Sequence, residues 1–341
     1  MPAKVLALCV ALSVTSCAKI ESRDLIREGN SLYGKGDFIA AIEKYDAAEK
    51  LEPDGVTLFW NRACAAEAQV LKMKDPEQRE QRRKYADMAL RDFQTWYDRL
   101  EQATPEDKKQ LDDHRLALLD ADERCDDLLT HWFEKHRANP KEEALYTTIA
   151  RQYEKCGQPE KVSEWYHKRA EDFPESVRAW HSLAIHKYEP LFPPDPEASQ
   201  VNDTIPPGER IKIADEVIAM LDKATQLDSK FRDAYVWRSM AFTQRSLARM
   251  VVEDPELPEE KIETILMRED VMMAWKQQKA VCDLEGTPEC PGPTPDTPCC
   301  PPPPLSPEEQ AEDAEKKKEI LAAMAAGSDD AEDNKKRRRK R

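Results

Sequence analysis

Histidines and carboxylates are the residues of this sequence whose types and spacing could bind a metal or catalyse a reaction. The six histidines are His114, His131, His136, His167, His181 and His186. Two pairs of them are five positions apart, which does not place both imidazoles on one helix face, and neither pair has the HExxH pattern of helical zinc sites. Neighbouring carboxylates such as Asp112/Asp113 and Asp126/Asp127 point to different faces of a helix. We therefore expect no metal site, no cofactor and no catalysis, so the protein is predicted not to be an enzyme.

Cysteines are the second group with chemical potential. Four of them fall within predicted helices, where we expect them to act as small packing residues: Cys64, Cys125, Cys156 and Cys282. Three others lie in a Pro-rich segment, where two could form a disulfide in an oxidising compartment: Cys290, Cys299 and Cys300. Without a CxxC motif, neither a zinc site nor a thioredoxin-like role is indicated. The pairing of these cysteines cannot be read from the sequence.

The N-terminus has the pattern of a secretory signal. Lys4 precedes an apolar run from Val5 to Leu12, and small residues follow. Val14-Thr15-Ser16-Cys17 resembles the lipobox of bacterial lipoproteins. The resemblance implies cleavage before Cys17 and a diacylglyceryl thioether, with further acylation, on that residue. An ordinary signal peptide in which Cys17 is incidental is the alternative.

The lipobox resemblance also implies a location. A lipidated Cys17 would anchor the protein in the bacterial envelope, exposed to the periplasm. Ala18, in place of the Asp that retains some lipoproteins in the inner membrane, implies the periplasmic face of the outer membrane. Because this sorting rule varies among bacteria, the inner membrane stays an alternative.

The composition predicts an all-helical protein. The 341 residues are 35% charged and include only nine glycines, which argues against a phosphate-binding loop or a β-sandwich. Good helix formers are abundant. No apolar stretch after the signal is long enough to span a membrane as a helix. The formal net charge of −15 argues against nucleic acid as the main partner.

Two segments share one pattern of small, aromatic and helix-ending residues. They run from Leu25 to Pro53 and from Tyr146 to Pro174, with Gly36 and Gly157 at matching positions. The first has Gly29, Leu32, Ala41, Tyr45 and Ala48; the second has Ile149, Ala150, Tyr153, Val162 and Tyr166. This pattern resembles the tetratricopeptide repeat (TPR), a helix–turn–helix unit of 34 residues.

The resemblance implies an α-solenoid, because one helix pair cannot bury its apolar face alone and must stack on its neighbours. Further pairs are expected to begin near Phe59, Thr104, Trp180 and Tyr235, the fifth being split by a Pro-rich insert from Pro190 to Gly208. We predict an all-α α-solenoid of five to six antiparallel TPR-like helix pairs, followed by a disordered Pro-rich and basic C-terminal tail.

The resemblance also implies where a partner binds. TPR arrays generally bind an extended peptide or a helix in the groove lined by the first helix of each pair. The groove candidates on this frame are Arg23, Ile26, Arg27, Asn30, Tyr33, Asn61, Thr147, Arg151, Glu154, Arg178, His181 and Tyr188. Asn30 and Asn61 match asparagines that clamp a peptide carboxylate in chaperone-binding members. The clamp lysine is Ile26 in this sequence, which leaves ordinary groove residues as the main alternative.

The C-terminal region changes character. Pro301 to Pro304 stand in a row within a Pro-rich spacer, and a short charged helix is expected from Ser306 to about Ala326. The last seven residues are all basic: Lys335, Lys336, Arg337, Arg338, Arg339, Lys340 and Arg341. Such a tail could bind a polyanion, have no specific partner, or fold onto the acidic body of the chain itself.

Together these patterns predict five regions. They are a signal peptide (1–16), a lipidated linker (17–21), a TPR-like domain (22–285), a Pro/Cys-rich linker (286–307) and a charged helix with a basic tail (308–341). The predicted function is a lipid-anchored periplasmic scaffold whose partners are other envelope proteins. No small-molecule substrate and no nucleic acid are expected. The alternative is an envelope-tethered protein that binds polyanions through its tail, with the repeats as a spacer.

Overall fold

The structure is a computed structural model that describes residues 3–250, 258–287 and 302–339, and side chains for residues 18–250, 259–287 and 302–325. Within these ranges the regular elements are helices: α1 Ala3–Gly34, α2 Phe38–Leu51, α3 Val56–Lys72, α4 Arg79–Asp98, α5 Pro105–Ala121, α6 Cys125–Ala138, α7 Glu143–Lys155, α8 Pro159–Asp172, α9 Val177–Tyr188, α10 Pro207–Leu227, α11 Arg232–Arg249, α12 Pro258–Glu285 and α13 Pro307–Arg339. Successive helices from α1 to α12 form six antiparallel hairpins. The predicted all-α α-solenoid of five to six helix pairs is confirmed.

The chain divides into two compact units. Unit 1 comprises Met1–Pro140 and Arg151–Gln158, and unit 2 comprises Lys141–Ala150 and Pro159–Arg341. Because each unit has its own packing, the two are described separately below.

The first hairpin of unit 1 shows why the repeat pattern needs its small residues. Gly36 adopts a φ of +79° in the turn between α1 and α2, a conformation that favours glycine. The Asp37 side chain then caps α2 by accepting a hydrogen bond from the Ala40 backbone N–H. A Cβ at Gly29 would lie 2.5 Å from Cε1 of Tyr45, so only glycine lets α1 approach this buried ring.

A buried guanidinium connects three helices of unit 1. Arg62 on α3 is 5% exposed, and its Nε donates to Oδ2 of Asp92 on α4 at 2.6 Å. Its Nη1 donates to Asp46 at 2.8 Å and to Glu49 at 2.5 Å, both on α2. A buried charge is tolerated only with such a set of partners, so Arg62 fixes the stacking of the first two hairpins.

A disulfide joins the third hairpin to the end of α7. Cys125 and Cys156 are bonded, with their Cα atoms 5.9 Å apart, and both belong to unit 1. The expectation that these two cysteines serve only as packing residues was wrong, because the start of α6 and the end of α7 approach within the range of a disulfide. Cys64 and Cys282 are free and half-buried. The cysteines of the Pro-rich segment, Cys290, Cys299 and Cys300, lie outside the described residues.

Unit 2 contains the fifth hairpin of the chain, α9 and α10, with the predicted insert between its two helices. The segment between α9 and α10 places Leu191 in the core, fully buried. The core of α9, α10 and α11 includes Ala184, Val217, Leu221 and Ala241. Small residues again allow close helix approach, as the repeat pattern predicts.

Unit 2 has its own buried ion pair. Asp270 on α12 is 3% exposed and accepts hydrogen bonds from Arg245 and Arg249 of α11. The guanidinium network therefore fixes α11 against α12, in the manner of Arg62 in unit 1.

The helices at the two ends of the chain are long. Helix α1 runs from Ala3 through Cys17 and the expected linker to Gly34. Helix α13 begins at Pro307, where Ser306 and Glu309 exchange capping hydrogen bonds, and its backbone continues to Arg339 rather than ending near Ala326. In the described part of the chain, each helix is too short or too polar to cross a bilayer.

Candidate protein-binding surface

Two predicted groove residues of unit 1 are in direct contact. The Nδ2 of Asn61 on α3 donates to Oδ1 of Asn30 on α1 at 3.0 Å, and the Tyr45 hydroxyl donates to the same oxygen at 2.8 Å. Asn30 Oδ1 therefore has both acceptor positions filled. Within the part of the chain that the structure describes, the Asn30 amide nitrogen and the Asn61 side-chain oxygen are left without a hydrogen bond, and Asn30 is exposed and Asn61 half-buried.

The position of Asn30 follows from the residue before it. Gly29 lets the Tyr45 ring pack directly against α1, and this close approach brings the Tyr45 hydroxyl to the Asn30 side chain. Tyr45 is 1% exposed, so the donor that orients Asn30 is itself held by the core. Burial raises the pKa of Tyr45 to about 12, which keeps the hydroxyl a donor at neutral pH.

A second polar contact continues this surface on α3 and α5. Nδ1 of His114 lies 2.8 Å from Oε2 of Glu67. The His114 ring is stacked on Phe93, with centroids 4.4 Å apart, and meets Trp60 edge-on at 5.2 Å. These aromatic neighbours orient the imidazole ring so that its Nδ1 contacts Glu67.

Tyr33 and Cys64 lie between these two contacts. Burial, and then the nearby Cys64 and Glu67, raises the pKa of Tyr33. Burial, with a smaller contribution from Glu67, raises the pKa of Cys64 to about 12, so this thiol stays protonated and is a poor nucleophile. We call the following set the polar ladder: Asn30, Tyr33, Asn61, Cys64, Glu67 and His114.

Half of the polar ladder was not predicted from the sequence. Asn30 and Asn61 occupy matching repeat positions, and Tyr33 and Cys64 are separated by the same number of residues, so that spacing could have identified Cys64. Glu67 and His114 had no such signal, because the long α4 separates α3 from α5 and breaks the repeat period.

The other predicted groove residues on α1 differ in their environment. Arg23 and Arg27 are exposed, and Arg27 pairs with Asp24 at 3.0 Å. Ile26, at the position of the clamp lysine, packs against the apolar cluster of Ala48 and Phe59. The polar ladder therefore has amide groups but lacks a cation at the clamp position.

The predicted groove residues further along the chain are divided between the two units. Arg151 and Glu154 are exposed in unit 1, and Arg178 is exposed in unit 2. Tyr188 was wrongly predicted as a groove residue: it is 2% exposed, with Phe192 of the insert and Trp237 of α11 packed edge-on to it at 5.1 and 5.4 Å. The insert covers this part of α9.

The remaining histidines show no constellation for chemistry. Burial lowers the pKa of His131 and of His181, and the His181 ring packs edge-on to Phe231 at 5.0 Å. Among the residues that the structure describes, no group of three His, Cys, Asp or Glu side chains is arranged to bind a metal ion. The polar ladder offers hydrogen-bonding groups rather than an activated nucleophile.

Two predicted sites concern side chains that the structure does not describe. The side chain of Cys17, the expected lipidation site, lies outside the described ones, as do the side chains of Lys335 to Arg339. Lys340 and Arg341 lie outside the described residues altogether.

Comparison with known proteins gives similarity at the level of solved structures. No protein-family model matches the sequence. No curated protein matches it. The C-terminal part of a TPR repeat-containing protein from Cytophaga hutchinsonii is similar at 14% identity and TM-score 0.33, covering 77% of this chain and 96% of that chain.

Two further solved structures are similar in the same way. A tetratricopeptide repeat protein from Parabacteroides merdae shows 14% identity and TM-score 0.29, covering 88% of this chain and 99% of that chain. YrrB, a TPR protein with an unusual peptide-binding site, shows 11% identity and TM-score 0.26, covering 77% of this chain and 85% of that chain. In each case the similarity is to a protein built from tetratricopeptide repeats.

Proposed function

We propose that this protein is an interaction scaffold that binds an extended peptide of a partner protein along the polar ladder of unit 1. We further propose that lipid on Cys17 anchors the protein in a bacterial envelope membrane, namely the periplasmic face of the outer membrane. The helical units would then lie in the periplasm. The observation that carries the binding proposal is the fixed pair of amides, Asn30 and Asn61.

The amide pair matches the backbone of an extended peptide. An extended segment presents N–H and C=O groups that have no partner within the segment. Because Asn30 Oδ1 is occupied by Tyr45 and Asn61, the Asn30 Nδ2 can donate to a peptide carbonyl and the Asn61 Oδ1 can accept from a peptide N–H. Recognition through backbone groups fixes the peptide's direction and leaves its side chains to determine selectivity.

The environment of the amide pair favours a protein partner over a small substrate. The Asn30–Asn61 contact is exposed at the surface of α1 and α3. Small-molecule sites are usually enclosed clefts that bury most of the ligand. An open row of hydrogen-bonding groups is instead suited to a long, flat ligand such as a peptide.

The disulfide supports the proposed location. Disulfides persist in oxidising compartments, such as the bacterial periplasm, and are rare in a reducing cytosol. The Cys125–Cys156 bond therefore agrees with the export that the N-terminal signal and the lipobox-like Val14–Cys17 imply.

A binding assay tests the first part of the proposal. Partners are captured on the purified protein, and the same capture is performed with Asn30→Ala/Asn61→Ala and with Asn139→Ala, an exposed asparagine of unit 1 away from the ladder. We expect the double variant to lose the partners that the wild type and Asn139→Ala retain. Retention by the double variant would exclude the amide pair as the binding element.

The basic tail provides a second control. Deletion of Lys335–Arg341 should leave this capture intact if the polar ladder binds the partner. If the deletion abolishes capture, the chain acts through its tail and the polyanion-binding alternative replaces the scaffold proposal.

Fractionation tests the anchor. Cys17→Ala should release or mislocalise the protein, and a globomycin-type block of signal processing should leave a full-length precursor. Cys282→Ala, which removes a free, half-buried thiol of unit 2, is the matched control and should fractionate like the wild type. If Cys17→Ala changes neither processing nor fractionation, the anchor proposal is wrong.

A further inference from the structure

A cleft of about 300 Å³ opens between α4, α5 and α6 of unit 1. Its apolar floor includes Phe93, Leu111 and Leu119, which are 1%, 3% and 2% exposed. Three arginines are among the residues that line it, Arg91, Arg115 and Arg124.

Arg124 is already neutralised by its neighbours. It donates to Asp127 and to Asp87, each at 2.6 Å. Asp127 is the acidic residue among those that line the cleft, and its carboxylate is paired with Arg124.

Among the side chains that the structure describes, Arg91 and Arg115 have no carboxylate that is not already paired with another cation. Arg91 is 3.8 Å from Oδ1 of Asp92, but that carboxylate is held by the buried Arg62 through both of its oxygens. The carboxylates that precede Arg115 on α5 are also engaged, Asp112 by Lys108 at 3.0 Å and Asp113 by Lys109 at 3.2 Å. The cleft therefore carries excess positive charge above an apolar floor.

The volume limits the size of the ligand. Sites for drug-sized ligands and cofactors span roughly 300–1,000 Å³, and this cleft is at the lower end of that range. It fits one bulky side chain with an adjacent charged group rather than a nucleotide or a flavin.

We propose that this cleft binds an acidic residue followed by a bulky apolar residue in a partner polypeptide. The planar guanidinium groups of Arg91 and Arg115 bind the carboxylate, for which the fork of an arginine is well matched. The apolar side chain lies on Leu111, Leu119 and Phe93. This site includes neither Asn30 nor Asn61. The proposal can therefore be tested independently of the peptide-binding proposal for the polar ladder.

Nuclear magnetic resonance on the methyl-labelled full chain tests the proposal. The probe is N-acetyl-aspartyl-phenylalanine amide, and the comparison probe has asparagine in place of aspartate. We expect the Leu111 and Leu119 methyl resonances to shift with the aspartyl probe in the millimolar range. The asparaginyl probe should bind about tenfold more weakly, because it loses the charge-assisted hydrogen bonds. No shift of these methyls, or equal shifts with both probes, would overturn the proposal.

Matched variants identify the cation. Arg115→Gln should weaken binding of the aspartyl probe about tenfold, whereas Arg79→Gln removes the same charge from the exposed start of α4, outside the cleft, and should leave binding unchanged. An equal loss in both variants would mean that general charge attraction, and not the cleft, binds the probe. The Asn30→Ala/Asn61→Ala variant should bind the probe like the wild type, which separates failure of this site from failure of the polar ladder.

Discussion

The first-helix surfaces of the two units have the same origin in the repeat pattern but different exposure. In unit 1, Asn30 and Asn61 meet at the surface of α1 and α3. In unit 2, Tyr188 of α9 was predicted to be a groove residue and is buried beneath Phe192 and Trp237. The insert after α9 makes the difference, because its residues pack on the helix that would otherwise be open.

The two units are alike in how their hairpins are joined. In unit 1, Arg62 of α3 binds Asp92 of α4 in its own hairpin and Asp46 of α2 in the preceding one. In unit 2, Arg245 of α11 binds Asp270 of α12 in its own hairpin and Asp215 of α10 in the preceding one. The supporting ion pairs are therefore common to both units. What distinguishes them is the burial of the predicted groove residue Tyr188 in unit 2, where Tyr33 of unit 1 is exposed, and the following predictions sharpen that comparison.

The largest expected effect concerns the two tyrosines predicted as groove residues. Tyr188→Ala should reduce the free energy of unfolding by about 3–5 kcal/mol, as for other large aromatic truncations in cores. Tyr33 is 40% exposed, so Tyr33→Ala should cost less than about 1 kcal/mol. Denaturant unfolding followed by circular dichroism measures both values. Equal costs would mean that the two surfaces are covered to the same extent.

The disulfide should contribute the next largest effect, confined to unit 1. Replacing Cys125 and Cys156 by serine should reduce the free energy of unfolding by about 2–4 kcal/mol, because the bond restrains the unfolded chain. A reducing agent should destabilise the wild type by the same amount and leave the double variant unchanged. Cys282→Ser in unit 2 is the control and should cost less. A wild type that is insensitive to reducing agent would show that the bond is absent in solution.

Two helix glycines should give opposite results. Gly29→Ala in unit 1 should cost about 1–3 kcal/mol, because its Cβ would overlap the Tyr45 ring. Gly208→Ala in α10 of unit 2 meets no atom within 4 Å and should be neutral or slightly stabilising. Thermal unfolding of both variants gives the comparison. A neutral Gly29→Ala would show that α1 and Tyr45 are not in close contact.

The smallest effect appears only in alkali and should be shared by both units. Burial raises the pKa of Tyr45 and of Tyr188 to about 12, whereas an unfolded tyrosine ionises near about 10. Between these values the folded state holds more protons than the unfolded state, so stability falls as the pH rises from about 10 towards 12.

Tyrosinate absorbance as a function of pH measures this ionisation. Tyr45→Phe and Tyr188→Phe should each remove part of the late-titrating absorbance and weaken the alkaline loss of stability. If either residue ionised at its ordinary pKa while the protein stays folded, its burial in that unit would be refuted.

The repeat pattern predicted the parts of the fold that depend on local conformation and regular spacing. Gly36 and Gly157 have positive φ in the two turns that the repeat pattern predicted. The contact of Asn30 with Asn61 follows from the same frame, because matching positions on neighbouring first helices lie side by side. Regular hairpins were therefore predictable in detail.

Contacts that depend on irregular segments were not predictable. The Glu67–His114 contact spans the second hairpin, whose long α4 changes the repeat period. The Cys125–Cys156 bond depends on how close two helix ends come in space, which no residue pattern encodes. The burial of Tyr188 depends on the folding of a Pro-rich insert for which the repeat has no counterpart.

Site-specific photocrosslinking in living cells tests the central claim most directly. A photoreactive residue replaces Arg27 beside the polar ladder, Arg178 in unit 2, or Lys50, an exposed residue of α2. We expect one partner to crosslink from position 27 but not from position 178 or 50, and Asn30→Ala/Asn61→Ala to abolish this crosslink. Equal crosslinking of that partner from position 178 or 50, or a crosslink at position 27 that survives the double substitution, would contradict it.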